Sequence, residues 1–425
     1  MKIYSNKDEL LKKLEERGNV DDTKVLSIVK DIIKNIKDRG DEALLEYTNK
    51  FDSPLITLDN IKVTDKEILD GYNAISDELK ETFALARERI YNFHKHQKED
   101  GFTYENGGEI LGQKITPIEN VGVYVPGGKA AYPSTVFMDV IPAQVAGVKN
   151  IIMATPCNKE GKVSNEVLAA AYILGIKDIY KCGGAQAIAA LALGTKIIKK
   201  VDKIVGPGNI FVALAKKELF GKVSIDSVAG PSEILVIADE NANPRFVASD
   251  LLSQAEHDEL ASSILLTNSK ELAEKVQVQI KEFTEKLDRK EIINKSLDNF
   301  GGIIVTSTID EAIVIANQIA PEHLELAVKE PFDYVDKVEN AGAIFLGNYS
   351  AESLGDYMAG PNHVLPTIRT ARFFSPLSVY DFVKRTSLIY FDKVAFNKIA
   401  KNVSAFAKSE GLTAHALAAE VRMSE

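Results

Sequence analysis

Two doubly wound α/β domains are what this sequence predicts, on three observations. Short apolar runs of strand length alternate with segments of helical periodicity, the signature of βαβ units and a parallel sheet. Those runs end in loops containing Gly or Pro. The alternation comes in two series, more units than one sheet usually organises. In chain order, residues 25–37 carry Val25, Ile28, Val29, Ile32, Ile33 and Ile36 at helical spacing. Residues 65–97 form a long, charged, amphipathic stretch expected to lay one apolar stripe on the rest. His94 and His96, at its end, are expected to be surface or capping residues, because their neighbours are charged. The first strand series is 121–125, 151–154, 178–181 and 203–205. The phrases Gly147-Val148-Lys149-Asn150-Ile151 and Gly175-Ile176-Lys177-Asp178-Ile179 use one helix-end-to-strand device twice. The second series is 233–238, 263–266, 302–305 and 343–346, with helices expected over 244–256, 270–287 and 310–319. Residues 379–425 again read as helical, and a piece that small must dock on its own chain or on a partner's.

The chain has 425 residues, 45% of them hydrophobic, enough for a sizeable core in more than one domain. Lys plus Arg number 51 against 61 Asp plus Glu, a formal net charge of -10. Such acidity argues against binding nucleic-acid backbones, which needs a basic face, and suits a protein that handles small molecules. Two cysteines, Cys157 and Cys182, are too few for a disulfide framework and lack CxxC spacing; both are expected to be small structural hydrophobes. The start of the chain has no apolar signal core, and no apolar run reaches the ~18 residues of a membrane span, so a cytoplasmic location is expected.

Four of the six histidines lie in short polar motifs rather than on apolar faces. Imidazole is the commonest metal-binding side chain and titrates nearest neutrality. Four such motifs, each near a carboxylate or amide, point to one metal-assisted acid–base site assembled from distant segments. Gln254 and His257 are three apart on a helix opened by Pro244, so an amide oxygen and an imidazole nitrogen could reach one divalent ion; a polar helix end is the alternative. Asp356 and His363 bracket a Gly- and Pro-containing loop, where Asp356 brings a hard oxygen and His363 a ligand or hydrogen bond, unless Asp356 merely caps a turn. Glu322 and His323, at a loop or first turn, are the best candidates for proton transfer, against the alternative of a Glu placed for a helix dipole. Glu410 and His415 flank a helix stop at Gly411 and a new start with Thr413 as N-cap; a neutral, metal-bound His415 would suit that first turn. Three Gly-rich loops, at Pro126-Gly127-Gly128-Lys129, Cys182-Gly183-Gly184 and Gly206-Pro207-Gly208-Asn209, follow strands and suggest a nucleotide crevice. None matches Gly-x-Gly-x-x-Gly, and the first misses the P-loop spacing, with Ala130 where a hydroxyl belongs.

Together these motifs resemble one family, the histidinol dehydrogenases. The resemblance is densest in Gly-Val-Tyr-Val-Pro-Gly-Gly (122–128), Gly-Gly-Ala-Gln-Ala-Ile-Ala-Ala-Leu-Ala (183–192), Val-Asp-Lys-Ile-Val-Gly-Pro-Gly-Asn (201–209) and Ala-Gly-Pro-Ser-Glu-Ile-Leu-Val-Ile-Ala-Asp (229–239). It continues in Ala-Ser-Asp-Leu-Leu-Ser-Gln-Ala-Glu-His (248–257), Pro-Glu-His-Leu (321–324), Gly-Asp-Tyr-Met-Ala-Gly-Pro-Asn-His-Val-Leu-Pro-Thr (355–367) and Leu-Thr-Ala-His (412–415). One motif departs: Asp258-Glu259 follow His257 where the family usually has Gly-Pro. The resemblance implies oxidation of L-histidinol to L-histidine through an enzyme-held aldehyde, with two NAD and one zinc ion (Zn2+) per subunit. It implies zinc ligands at Gln254, His257, Asp356 and His415, the last supplied by the neighbouring subunit of a homodimer, and an acid–base pair at Glu322 and His323. It further implies substrate contacts at Ser232, His363 and Glu410, and NAD contacts at Tyr124, Gln186 and Asn209. The fold implied has two incomplete Rossmann-like parallel-sheet domains with small helical N- and C-terminal segments. On this chain these fall at 1–21 for the N-terminal segment, 22–123 with 233–377 for the first domain, 124–232 for the second, and 378–425 for a dimerising C-terminal segment.

Two other classes of function compete. A metal-dependent hydrolase would use the same ligands with Glu322 as base, and NAD-dependent turnover of histidinol separates it from a dehydrogenase. An interaction scaffold on a dead enzyme fold would show losses among the site residues, and the sequence shows none.

Overall fold

The computed structural model describes residues 1–17, 22–127 and 131–423, so Gly128, Lys129 and Ala130 of the first Gly-rich loop lie outside the described residues. The chain divides into two units, Met1–Gln97 with Glu119–Asp381, and Lys98–Ile118 with Phe382–Glu425.

The larger unit holds two parallel sheets. The five-stranded sheet runs Asp178–Lys181, Asn150–Thr155, Asn120–Tyr124, Lys203–Val205, Ser224–Ile225. The six-stranded sheet runs Lys2–Tyr4, Gly301–Val305, Ser262–Thr267, Glu233–Ala238, His323–Ala327, Ala343–Leu346. Asn120–Tyr124 lies between Asn150–Thr155 and Lys203–Val205, and Glu233–Ala238 between Ser262–Thr267 and His323–Ala327, so the winding reverses beside each, as in a doubly wound fold. Inner strands such as Glu233–Ala238 and Ser262–Thr267 are buried on both faces, which is why they read as apolar runs rather than alternations.

Several expectations are corrected. His323, expected at a loop or first turn, instead opens a strand, His323–Ala327, whose five residues are all buried although Glu325 interrupts their apolar pattern. Lys2–Tyr4 adds an edge strand by pairing with Gly301–Val305, a long-range contact invisible locally. The 65–97 stretch is two helices, Asp65–Ala74 and Asp77–His94, because Ser76 caps the second with its hydroxyl on the Leu79 amide. The helices of 23–94, grouped by sequence with the six-stranded layer, pack on helices of the five-stranded one, as Asp65–Ala74 does on Asn165–Leu174. Asn120–Tyr124 likewise belongs to the five-stranded sheet. His94 is not a surface residue: it is fully buried, with Nδ1 2.8 Å from the Ile90 carbonyl.

The smaller unit is not helical throughout. Val383–Phe391 pairs antiparallel along its whole length with Glu109–Pro117, which also pairs with Phe102–Asn106. Two helices follow, Lys393–Ser409 and Thr413–Met423, packed on each other with Glu420 accepting from Ser404 (2.6 Å) and Lys408 (2.5 Å). Among the described residues, this unit's buried apolar side chains are Ile118, Phe382 and four alanines, while Ile389 and Phe406 are 75% and 70% exposed.

Candidate active site and metal centre

The site residues of the larger unit gather at the amino-terminal edge of the six-stranded sheet, where Glu233–Ala238 and His323–Ala327 begin side by side. The helix Pro244–Ala255 runs back from the far edge, so its last turn ends at the same place. Proline at its first turn and Asn243, whose side chain accepts from the Arg245 amide, start that helix. Gln254 sits in its last turn and is buried, and its Oε1 finds no hydrogen-bond partner among the described residues. His257 lies two residues beyond the end of the helix, its amide donating to the Gln254 carbonyl at 3.2 Å, so the two do not share a continuous helical face. Asp258 shapes the turn after His257: its carboxylate accepts from the Leu260 amide at 2.9 Å, while Glu259 pairs with Lys295.

A short helix, Glu352–Tyr357, brings Asp356 and Glu352 to this edge, one turn apart on one face. Donor atoms of His257, Glu352 and Asp356 lie within 4.8 Å of one another. Burial pushes the Asp356 carboxyl up to about 6, and burial with the Asp356 charge lifts Glu352 well above the carboxylate range. Carboxyls crowded this way are relieved by a cation, and Gln254 adds a buried, unpartnered oxygen. Donor chemistry and geometry therefore fit a divalent metal. Glu352 was missed by sequence reasoning; its spacing of four from Asp356 was the available signal. His363 closes the loop, with Nδ1 3.1 Å from the Asp356 carbonyl, and burial lowers it to about 4. Asn362 pins the same loop by donating to the Met138 carbonyl at 2.6 Å.

His323 is buried between Glu322 and Glu352, whose carboxylate oxygens are each 3.7 Å from its Nδ1. Nδ1 is 3.0 Å from the Glu233 carbonyl, which can only accept, so Nδ1 carries the proton. Nε2 then bears a lone pair, and it finds no partner among the described residues. Burial lowers His323 to about 4, keeping it neutral at pH 7. Burial, and next the Glu233 charge, lift Glu322 well above its usual value. Ser232, just before Glu233, is half-buried at the same edge. Glu410, which caps the helix Lys393–Ser409, and His415, in the first turn of Thr413–Met423, are exposed residues of the smaller unit.

The nucleotide-crevice residues lie instead at the carboxyl ends of the five-stranded sheet. Tyr124 ends the central strand, and its hydroxyl accepts from the Gly184 amide at 3.1 Å, in the loop opening the helix Gly184–Leu193. Gln186 is buried in that helix, its Nε2 without a partner among the described residues. Asn209 is exposed and caps the helix Ile210–Leu219, accepting from the Phe211 and Val212 amides. Beneath the Gly206 loop lies a buried ion pair that the sequence did not flag, Lys216 with Asp226. Lys216 donates to the Gly206 carbonyl at 3.0 Å, and Asp226 accepts from the Gly206 amide at 2.8 Å. Gly206 has φ of +113°, and a Cβ there would stand 2.0 Å from the Tyr124 carbonyl, so glycine is required. Asp139 faces this pair with neither carboxyl oxygen hydrogen-bonded among the described residues, and burial raises it far above its usual value. Cys182 is buried and Cys157 half-buried, and burial raises both thiols, Cys157 to about 11, so neither is a reactive thiolate.

Comparison with known proteins points to a single family. The sequence model of the histidinol dehydrogenase family matches residues 15–423. The histidinol dehydrogenase of Aquifex aeolicus is 54% identical over 418 residues, covering 98% of this chain and 97% of that protein. That of Clostridium acetobutylicum is 53% identical over 417 residues, covering 98% and 96%. A crystal structure of histidinol dehydrogenase from Elizabethkingia anophelis superposes with a TM-score of 0.90 at 42% identity, covering 94% of this chain and 92% of that one.

Proposed function

Because the chain belongs to the histidinol dehydrogenase family and is an oxidoreductase of that activity, we propose that Glu322 and His323 carry its proton transfers at the edge just described. Gln254, His257 and Asp356, with His415 of a neighbouring subunit, hold one zinc ion; Ser232, His363 and Glu410 contact L-histidinol. NAD lies against Tyr124, Gln186 and Asn209, at the carboxyl-end crevice where open α/β sheets take nucleotides. The observation that carries the reading is the Nε2 of His323, without a partner among the described residues and buried beside Glu322 and the His257–Asp356 cluster.

An alcohol must lose its hydroxyl proton as hydride departs, and the Nε2 lone pair of His323 receives it. The Glu233 carbonyl fixes the tautomer that makes this possible. Oxidation of the resulting aldehyde requires water, whose proton Glu322 takes; burial and the neighbouring Glu233 charge raise the affinity of its carboxylate for that proton. Zinc, when bound, supplies a charge on which the imidazole and amine nitrogens of the substrate are oriented. NAD, when bound, supplies the hydride acceptor.

The smaller unit supports a homodimer. Its buried apolar set is mostly alanine, while Ile389, Tyr390, Phe406 and Leu417 are exposed, a surface suited to cover by a second copy. No described helix is long and apolar enough to cross a membrane, and a biosynthetic role in the cytoplasm fits that observation. Elemental analysis joined to a histidinol assay tests the whole reading: about two NADH should form per histidinol, stop on chelation and return with zinc. Turnover without NADH would favour the metal-dependent hydrolase instead.

A further inference from the structure

The helix Lys7–Arg17 ends in a buried arginine that the chemistry above does not use. Its Nε donates to the Leu260 carbonyl (2.6 Å), Nη1 to Glu233 Oε1 (2.7 Å) and Ser262 Oγ (3.0 Å), and Nη2 to the carbonyls of Pro231 (2.6 Å) and Ser232 (2.8 Å). Arg17 thus grips three successive residues where the chain enters the strand Glu233–Ala238. No lysine could span that fork of acceptors.

Glu233 faces the acid–base pair with its remaining polar groups. Its amide donates to Glu322 Oε2 at 2.9 Å, its Oε2 accepts from the Glu322 amide at 3.3 Å, and its carbonyl accepts from His323 Nδ1 at 3.0 Å. Oε1, besides Arg17, takes the Ile368 amide at 3.1 Å. That amide is delivered by a strained turn: Ile368 and Arg369 both have positive φ, 49° and 62°, conformations costly for side-chain-bearing residues and most of all for a β-branched one. The Ile368 side chain packs directly on Gly230, whose added Cβ would stand 2.1 Å from Ile368 Cδ1. A buried ion pair is weak evidence of stability, since apolar residues fill such space as well. A pair reached by a strained turn and bonded on its far side to two acid–base groups serves something else.

We propose that Arg17, acting through Glu233, is a positioning residue for Glu322 and His323, fixing the carboxylate and carbonyl to which both are fastened. The inference rests on the acid–base reading above. The test compares zinc-loaded Arg17→Met, Arg17→Lys and Glu233→Gln with Glu322→Gln and His323→Asn, measuring kcat, KM for histidinol, zinc content, melting temperature and the pH profile. Arg17→Met should lower kcat by about tenfold or more while KM and zinc content stay within about twofold, with Arg17→Lys intermediate. A folded Arg17→Met with wild-type kcat overturns the proposal. Should Arg17→Met fail to fold, Glu233→Gln decides. It removes one charge beside Glu322 and leaves Arg17, Asp356 and His323 in place, so kcat should fall and the acidic limb of kcat/KM move to lower pH. An unmoved limb with unchanged kcat overturns the proposal. Full activity in Glu322→Gln and His323→Asn would sink the acid–base reading itself, whereas inactivity there beside a normal Arg17→Met sinks only the role of Arg17.

Discussion

Replacing Lys216 with Met should destabilise the protein and weaken NAD binding together. Lys216 and Asp226 have side chains 2% and 5% exposed, so no water replaces the lost ammonium. Breaking a buried pair by removing one partner costs about 3–5 kcal/mol, because the other charge is stranded. Asp226 keeps the amides of Gly206 (2.8 Å) and Ser227 (2.7 Å), which places the expected loss toward the lower end, about 3 kcal/mol. Urea unfolding at pH 7 measures it, and adding Asp226→Asn to remove the stranded charge should recover at least about half. Gly206 loses its carbonyl partner in the same variant, so KM for NAD should rise while KM for histidinol holds. A stability loss under about 1 kcal/mol would show that the pair is solvated or dispensable, and equal changes in both KM values would refute the link to the cofactor loop.

Asp139, beside that pair, is raised by burial above its unfolded value of 3.8. Such a group favours the folded state below the unfolded value, and the benefit is lost as pH rises through the folded one. Asp139→Asn should therefore remove a decline in stability between acid and alkaline pH, and parallel pH–stability curves for the two proteins would contradict this. His323→Asn retains a donor for the Glu233 carbonyl but no base, so kcat should fall about 100- to 10,000-fold with the fold intact; near-normal turnover would remove His323 from the chemistry. His415→Asn should deplete zinc measured by elemental analysis. Mixed with His323→Asn, it should regain activity through hybrid dimers, and no rescue after verified subunit exchange would place the site within one chain.

Much of this was legible where chemistry is written in short motifs. The Gly-rich turns after strands stand out, and Gln254, His257, Glu322 and His323 are all found at one sheet edge, although His257 reaches it from beyond the helix rather than along the helical face its spacing suggested. Strands buried on both faces announced themselves as apolar runs. What escaped notice depends on partners far along the chain. Lys2–Tyr4 becomes a strand only by pairing with Gly301–Val305. Val383–Phe391 is exposed over most of its length and lacks the alternation that marks a half-buried strand. Glu325 reads as a surface residue until its carboxylate is seen accepting the Glu352 amide at 2.9 Å. Arg17, Glu233 and Glu352 are single charges in unremarkable surroundings, and only burial beside one another gives them a role.

The reciprocal bonds between Glu233 and Glu322 have a further consequence. Each amide meets the other's carboxylate at the mouth of two neighbouring strands, where Ile234 lies opposite His323. A slip of one residue there would turn His323 to the opposite face and carry the whole strand with it. The carboxylate proposed to handle protons is thus also the alignment key of the central seam, so Glu322→Ala, which removes the acceptor as well as the acid, should loosen the strand pairing that Glu322→Gln leaves in place.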